Sequence, residues 1–126
     1  MAIFSHVVVG TNDLEKARKF YDAALAALGL KRMMNMDKAS LWGAEGPEFM
    51  VTVPANGSPA SAANGGTIGF LAPSRAAVHE FHKIALANGG KDEGAPGPRA
   101  FTPTAYAAYV RDPDGNKLCA YCFKPA

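Results

Sequence analysis

The sequence predicts an α+β fold built from two similar halves, and three observations support this prediction. A short apolar run rich in β-branched residues is followed by an apolar stripe with helical spacing, and the same order recurs after residue 66. Equivalent residues lie 61 positions apart, as Phe20 and Phe81 do (81 − 20). Between the halves, residues 55–66 are too rich in small and turn-forming residues to pack a core. A chance similarity between two amphipathic helices is the alternative interpretation.

The first half begins with a predicted strand and continues into a helix. Residues Phe4 to Val9 end at Gly10, and Asp13 is the expected N-cap of a helix that Gly29 terminates. The helix has apolar residues at spacings of three and four, namely Leu14, Ala17, Tyr21, Ala24, Leu25 and Leu28. Three extended segments follow, which we place at Lys31–Met36, Ala39–Ala44 and Glu48–Val53.

The second half repeats this order. Thr67–Leu71 is the predicted strand, Ser74 caps a helix, and Gly89 and Gly90 end it. The prolines and glycines of Glu93–Thr104 predict a long loop without secondary structure. Two strands then follow, Ala105–Arg111 and Lys117–Phe123, and the tetrapeptide Asp112-Pro113-Asp114-Gly115 between them is typical of a type I turn.

Composition narrows the class of protein. A chain of 126 residues with 48% hydrophobic residues fits one domain, residues 1–126, with a first module at about 1–54, a linker at about 55–66 and a second module at about 67–126. A net charge of +2 with scattered basic residues argues against a nucleic-acid partner. The sequence also lacks a run of about 20 apolar residues, so we expect a cytoplasmic protein without a membrane partner.

The motifs together resemble one family, the vicinal oxygen chelate superfamily of glyoxalases, bleomycin-resistance proteins and extradiol dioxygenases. They are a histidine near the start of the first strand, the helix segments Asp13-Leu14-Glu15-Lys16-Ala17 and Phe20-Tyr21, Leu28-Gly29-Leu30, and Asp112-Pro113-Asp114-Gly115-Asn116-Lys117-Leu118. The segment Gly94–Arg99 before the final strands is similar to a small bacterial glyoxalase-like group. The resemblance implies two tandem βαβββ modules whose curled half-barrel sheets enclose a cleft.

The resemblance also implies four positions that hold a divalent metal in many members. On this sequence they fall at His6, Val51, Thr67 and Cys119, with Thr52 replacing Val51 if the alignment slips by one residue. Metal-binding members place histidine or carboxylate ligands there, and only His6 matches that pattern. We therefore expect no cofactor, and the alternative is a divalent metal ion held weakly at His6.

The Glu93–Tyr106 segment is long enough to fold over the mouth of such a cleft. The planar guanidinium of Arg99 suits a carboxylate or phosphate, which can accept two of its N–H groups at once. The rings of Phe101 and Tyr106 can stack on an aromatic ligand. We expect these three residues, together with Trp42, Val51 and Thr67, to contact the ligand. An Arg99 that is merely exposed to solvent is the alternative.

Two functions from different classes remain open. The first is metal-independent binding of a small, partly apolar or anionic compound, which requires only a cleft and no chemistry. The second is a glyoxalase-type lyase or isomerase in which His6 acts as a general base or Cys119 as a nucleophile or weak metal ligand. In either case the open sheet edges and the family resemblance predict a homodimer.

Overall fold

A computed structural model describes residues 3–126, so residues 1–2 of the predicted first module lie outside the described part of the chain. The elements in chain order are β1 (Val7–Gly10), α1 (Leu14–Ala26), β2 (Lys31–Asn35), β3 (Ala39–Gly43), β4 (Pro47–Thr52), β5 (Ile68–Leu71), α2 (Arg75–Ala87), β6 (Lys91–Pro98), β7 (Tyr106–Arg111) and β8 (Lys117–Cys122). This order is βαβββ followed by βαβββ.

The strands form two four-stranded sheets with the same topology. The first sheet has the order β1-β4-β3-β2 and the second has the order β5-β8-β7-β6. In each sheet the first strand pairs in parallel with the last, and the remaining pairs are antiparallel. The predicted α+β fold of two βαβββ modules is confirmed.

The two helices begin and end where the sequence indicates. The side chain of Asp13 accepts a hydrogen bond from the backbone N–H of Lys16, and Ser74 accepts one from Ala77. After α1, Gly29 adopts φ +80°, a left-handed conformation that glycine tolerates well. Each helix buries one apolar face, centred on Phe20 in α1 and on Phe81 in α2.

The predicted loop at Glu93–Thr104 is wrong over its first half, because β6 covers Lys91–Pro98. This strand pairs antiparallel with β7, and its register shifts near Gly94 and Gly97. It lies at the edge of the sheet, where a strand has one unpaired side and prolines are tolerated. The glycines and prolines of this segment therefore shape an irregular edge strand instead of excluding one.

Each sheet has two distinct faces. The side that packs against α1 and α2, which we call the helix face, contributes alternate residues to one continuous core: Val7, Trp42, Phe49 and Val51 from the first sheet, and Phe70, Ala108, Val110, Leu118 and Ala120 from the second. The opposite side, which we call the open face, carries the intervening residues. Alternate residues along each strand therefore point to the helix face or to the open face.

The turn between β7 and β8, residues 112–116, joins the two modules through a buried hydrogen-bond network that we call the Asp112 clasp. The Tyr21 hydroxyl donates to Asp112 Oδ2 over 2.5 Å, although the two residues are 91 positions apart. The Thr11 hydroxyl donates to Asp114 Oδ2 over 2.6 Å, and Asn116 Nδ2 donates to the backbone oxygen of Gly10 over 3.0 Å. The turn is thus a contact between modules as well as a chain reversal.

Among residues 3–126 the clasp has no counterpart at the other end of the module interface. The corresponding first-module turn, from Trp42 to Phe49, is one residue shorter than the Val110–Leu118 turn (49 − 42 against 118 − 110). Its tip, residues 44–47, reads Ala-Glu-Gly-Pro, and none of these residues is buried. Ala72 and Pro73 stand 61 positions after Thr11 and Asn12 (72 − 11) and have no polar side chain to offer. In the part of the chain that the structure describes, this hydrogen-bond network therefore joins the modules at the end of β1 and not at its start.

Candidate functional site

A cavity of about 710 Å³ opens between the modules, at the start of β1 and therefore away from the Asp112 clasp. Small-molecule sites in proteins typically measure about 300–1,000 Å³. The lining comes from the start of β1, the β3–β4 turn and all of β5, and it comprises Phe4, Ser5, His6, Val7, Leu30, Trp42, Gly43, Ala44, Glu48, Phe49, Thr67, Ile68, Gly69, Phe70 and Leu71. Most of these residues are apolar, so the cavity suits a largely apolar molecule.

The structure brings together three of the residues that sequence reasoning selected, His6, Trp42 and Thr67. His6 and Thr67 are exposed, and the Nδ1 atom of His6 lies 2.9 Å from the Ser5 hydroxyl. Trp42 has no exposed surface and belongs to the core, where its indole N–H donates to Asp22 over 3.0 Å. The Trp42 ring therefore forms part of the cavity wall, and its hydrogen bond to Asp22 holds it in position.

Glu48 is a polar cavity residue that sequence reasoning missed. Val7 and Phe49 are paired in the parallel β1–β4 ladder, and His6 and Glu48 directly precede them. The two side chains therefore lie on neighbouring strands near the same end, and both line the cavity. The alternation of Glu48 with the apolar Phe49 and Val51 could have indicated that it avoids the core.

Val51 does not lie where the repeat was expected to place it. Its side chain has no exposed surface and packs in the core on the helix face. Val7 pairs with Phe49 and its equivalent Ile68 pairs with Leu118, so the residue equivalent to Cys119 is Met50. The longer second-module turn caused this error of one residue, and a one-residue error in a strand reverses the face.

Cys119 lies on the open face but is almost inaccessible, with 4% of its surface exposed. Burial raises the pKa of its thiol to about 11, even though Tyr109, Lys117 and Arg99 act in the opposite direction. A nucleophilic cysteine requires a lowered pKa, so this environment disfavours that role. Cys122 is buried as well, and neither cysteine is in a disulfide.

The residues at the four family positions do not suit a divalent metal. They are an imidazole at His6, a thioether at Met50, a hydroxyl at Thr67 and a protonated thiol at Cys119, whereas divalent ions prefer imidazole, thiolate and carboxylate ligands. Within residues 3–126 no group of three histidine, cysteine, aspartate or glutamate side chains is arranged to hold a metal ion.

Tyr106 lies apart from the other predicted ligand contacts. Its ring packs on the core from the helix face, its hydroxyl lies 2.6 Å from His79 Nε2, and Arg75 lies over its ring at 4.6 Å. Strand alternation places Tyr109, three residues later, on the open face. The expected set of Arg99, Phe101 and Tyr106 is therefore divided between the two faces.

Arg99 and Phe101 do come together with aromatic residues of the open face. The Arg99 guanidinium lies 5.6 Å from the centre of the Tyr109 ring and donates to the backbone oxygens of Ala95, Gly97 and Pro98. Phe101 is 73% exposed and its ring centre lies 5.8 Å from that of Tyr121. Neither Arg99 nor Phe101 lines the cavity.

The fold and the cavity together define the class of this protein: a small α+β protein of two modules with a cavity between them. The sequence profile of the Glyoxalase/Bleomycin resistance protein/Dioxygenase superfamily matches residues 3–120, and the chain belongs to that family. No curated protein matches the chain. Between residues 3 and 126 the structure contains no helix of the length and apolarity that crossing a membrane requires.

Solved structures share this fold over nearly the whole chain. A glyoxalase/bleomycin resistance protein from Albidiferax ferrireducens T118 is 44% identical, with a TM-score of 0.88, covering 98% of this chain and 100% of that one. A family enzyme from Burkholderia phytofirmans PsJN is 18% identical, with a TM-score of 0.75 and coverage of 98% and 100%. Lactoylglutathione lyase from Agrobacterium tumefaciens is 23% identical, with a TM-score of 0.65 and coverage of 96% and 92%. The last two show a shared fold alone.

Proposed function

We propose that this protein binds a small, largely apolar compound in the cavity between its modules, without a metal. The observation that carries the proposal is the cavity itself, about 710 Å³ in volume and walled by Trp42, Phe49 and Phe70. These rings belong to the core, so the wall is already formed before a ligand arrives. A preformed wall reduces the ordering cost of binding.

The few polar residues of the cavity limit the number of polar groups that a bound ligand can have. Ser5, His6, Glu48 and Thr67 supply hydrogen-bonding groups among otherwise apolar walls. His6 and Thr67 are both exposed, so they suit recognition of one polar group that remains close to solvent. A compound with an apolar body and one polar end fits this distribution.

An uncharged apolar dye, N-phenyl-1-naphthylamine, tests the proposal because its fluorescence rises in an apolar environment. We expect saturable binding of one dye per chain. Thr67→Phe places a ring at the exposed cavity wall, and we expect it to weaken binding by about tenfold, equivalent to roughly 1.4 kcal/mol.

Ser58→Phe is the matched control, since Ser58 is exposed on the linker and lies outside the cavity lining. Its affinity for the dye should equal that of the unmodified protein. If Thr67→Phe folds normally and binds the dye equally well, the cavity is not the site.

The neighbouring positions of His6 and Glu48 favour a second candidate, a glyoxalase-type lyase or isomerase with a weakly held metal. An imidazole and a carboxylate are suitable ligands, but two are fewer than the three protein ligands of a typical catalytic zinc site. Titration with Ni²⁺ and Zn²⁺ discriminates the two functions. Stoichiometric binding that is lost in both His6→Ala and Glu48→Gln would favour the enzyme.

We also propose that the protein is a homodimer. Ile3, Phe4 and Leu71 are 87%, 69% and 75% exposed, and Phe4 and Leu71 lie at the cavity. Exposed apolar side chains grouped in this way are typical of interaction surfaces. Light scattering at micromolar concentration should give twice the mass of the 13.2 kDa chain, and a monomer would contradict the proposal.

A further inference from the structure

The linker between the modules carries two of the chain's three asparagine–glycine pairs. These two are Asn56-Gly57 and Asn64-Gly65, and the third is Asn88-Gly89 at the end of α2. All three asparagines are exposed to solvent. An asparagine that precedes glycine is prone to lose its side-chain amide, because glycine has no side chain to hinder attack by its own main-chain nitrogen. The sequence and the exposure of these residues therefore do not distinguish the three positions.

Deamidation requires that both reacting groups can move. The main-chain nitrogen of the glycine gives up its proton and attacks the side-chain carbonyl carbon of the asparagine, so that a C–N bond forms and a cyclic imide closes. The bond from that carbon to the amide nitrogen breaks, and the amide nitrogen leaves with the proton as ammonia. Water then opens the ring and yields aspartate or isoaspartate. A hydrogen bond that holds the side-chain amide or the glycine N–H must break first, at a cost in free energy.

Hydrogen bonds hold both reacting groups at Asn56-Gly57. The side-chain oxygen of Asn56 accepts a hydrogen bond from the main-chain N–H of Ser58 over 2.9 Å. The N–H of Gly57, whose nitrogen would have to attack, donates to the main-chain oxygen of Pro54 over 3.2 Å. Both bonds must break before the ring can close, so this turn slows the reaction.

The end of α2 also holds its asparagine–glycine pair. The side-chain amide of Asn88 donates to the main-chain oxygen of Ile84 over 2.8 Å, and the main-chain N–H of Asn88 donates to that of Ala85 over 3.2 Å. The N–H of Gly90 donates to the same Ala85 oxygen over 2.9 Å, so the chain is held on both sides of the peptide bond between Asn88 and Gly89. Ring closure here requires the last turn of the helix to open.

Asn64-Gly65 has none of these restraints. Among the described residues, 3–126, neither residue forms a hydrogen bond through its side chain or its main chain. Ala60 and Asn12 are joined by two hydrogen bonds of 3.1 and 2.7 Å, and the chain is next held where β5 begins at Ile68. Asn64 lies midway between these two points (64 − 60 and 68 − 64). A Cβ atom at Gly65 would meet nothing within 4 Å, so the surroundings leave this peptide room to rotate.

We propose that Asn64 is a site of spontaneous deamidation, at which the linker acquires an aspartate or isoaspartate residue while Asn56 and Asn88 stay intact far longer. The reaction needs only water as a co-reactant and releases ammonia. It lowers the net charge of the chain from +2 to +1 (2 − 1). The isoaspartate product adds one carbon atom to the main chain that connects the modules. This inference does not depend on a ligand in the cavity.

Peptide mapping by mass spectrometry tests the proposal on native protein incubated at pH 8, because each deamidated peptide gains the mass difference between an acid and an amide. We expect Asn64 to react fastest. Each hydrogen bond that must break slows the reaction about fivefold, the factor that corresponds to about 1 kcal/mol, so Asn56 with two such bonds should react about 25-fold more slowly. Asn88 should react no faster than Asn56. Protein isoaspartate methyltransferase, which methylates isoaspartate and not aspartate, then identifies the product of the cyclic imide.

Two matched comparisons isolate the effect of the structure. In guanidinium chloride all three pairs lose their hydrogen bonds, so their deamidation rates should become similar. In the native protein Asn64→Gln should remove most of the isoaspartate, because glutamine must close a larger ring and does so far more slowly, whereas Asn56→Gln should leave the isoaspartate content unchanged. The proposal is overturned if Asn56 or Asn88 reacts as fast as Asn64 in the native protein, or if Asn64 stays intact there while the unfolded chain is deamidated at this position.

Discussion

Tyr21→Phe is the sharpest test of how the two modules are held together. Tyr21 has no exposed surface, and its hydroxyl donates to a carboxylate that is 3% exposed. Asp112 also accepts from the backbone N–H groups of Asp114 and Asn116 and from the side-chain amide of Asn116. The substitution removes one of four donors to this carboxylate and leaves the ring packing unchanged.

A hydrogen bond to a buried charged group contributes about 1.5–3 kcal/mol to the free energy of unfolding. The entropy of unfolding is about 2.1 cal/mol/K per residue, so a chain of 126 residues loses about 6–11 °C in Tm from such a change. Urea unfolding and thermal melts followed by circular dichroism measure both quantities. Tyr106→Phe is the control, because its hydroxyl meets an exposed histidine and its loss should cost less than about 1 kcal/mol.

The pH dependence of this effect has a definite sign. Burial raises the pKa of Asp112, against the lowering effect of the hydrogen bonds from Tyr21 and Asn116. For a carboxyl whose folded pKa is raised, stability falls as pH rises from its unfolded pKa to its folded pKa. Without the Tyr21 hydroxyl the folded pKa rises further, so Tyr21→Phe should destabilise more at pH 7 than at pH 4. A Tm loss below about 1 °C, or a larger loss at pH 4, would refute the reasoning.

Two further predictions concern Cys119 and Gly90 in the second module. Because burial raises the pKa of Cys119 to about 11, iodoacetamide should alkylate the native protein very slowly at pH 7.5 and rapidly in guanidinium chloride; a native thiol that reacts at the unfolded rate would contradict this. Gly90→Ala should destabilise the protein by about 2–3 kcal/mol in urea, because a Cβ there would stand 2.7 Å from the Ala85 backbone oxygen and 3.0 Å from the Phe20 ring. Gly46→Ala is its control, since a Cβ at Gly46 meets nothing within 4 Å, and equal losses in the two variants would show that the close contacts are not decisive.

The fold was predictable because local signals and the repeat agree. Asp13 and Ser74 cap both helices as expected, and the 61-residue spacing (81 − 20) relates β1 and α1 to β5 and α2. β6 was missed because Pro96 and Pro98 are typical of loops, and only its place at a sheet edge makes them compatible with a strand. That place depends on tertiary structure and leaves no local signal.

The site was less predictable than the fold. In a strand, an alignment error of one residue places a side chain on the wrong face of the sheet. An extra residue in the β7–β8 turn moved the expected partner of Cys119 from Met50 to Val51, and therefore from the open face into the core. The same limit applies to Tyr106, since Tyr109 rather than Tyr106 faces Arg99. The partner of Asp112, Tyr21, is 91 residues away and had no sequence signature.

The one-sided position of the Asp112 clasp has a mechanical consequence. Buried hydrogen bonds tie the modules together beyond the end of β1, and the cavity lies at the start of that strand. If one module rotates relative to the other, we therefore expect the rotation axis to lie near the Asp112 clasp. Such a rotation would widen the interface at the cavity. A ligand could then enter and leave the cavity through the wider end of the module interface, while the hydrogen bonds of the Asp112 clasp stay intact.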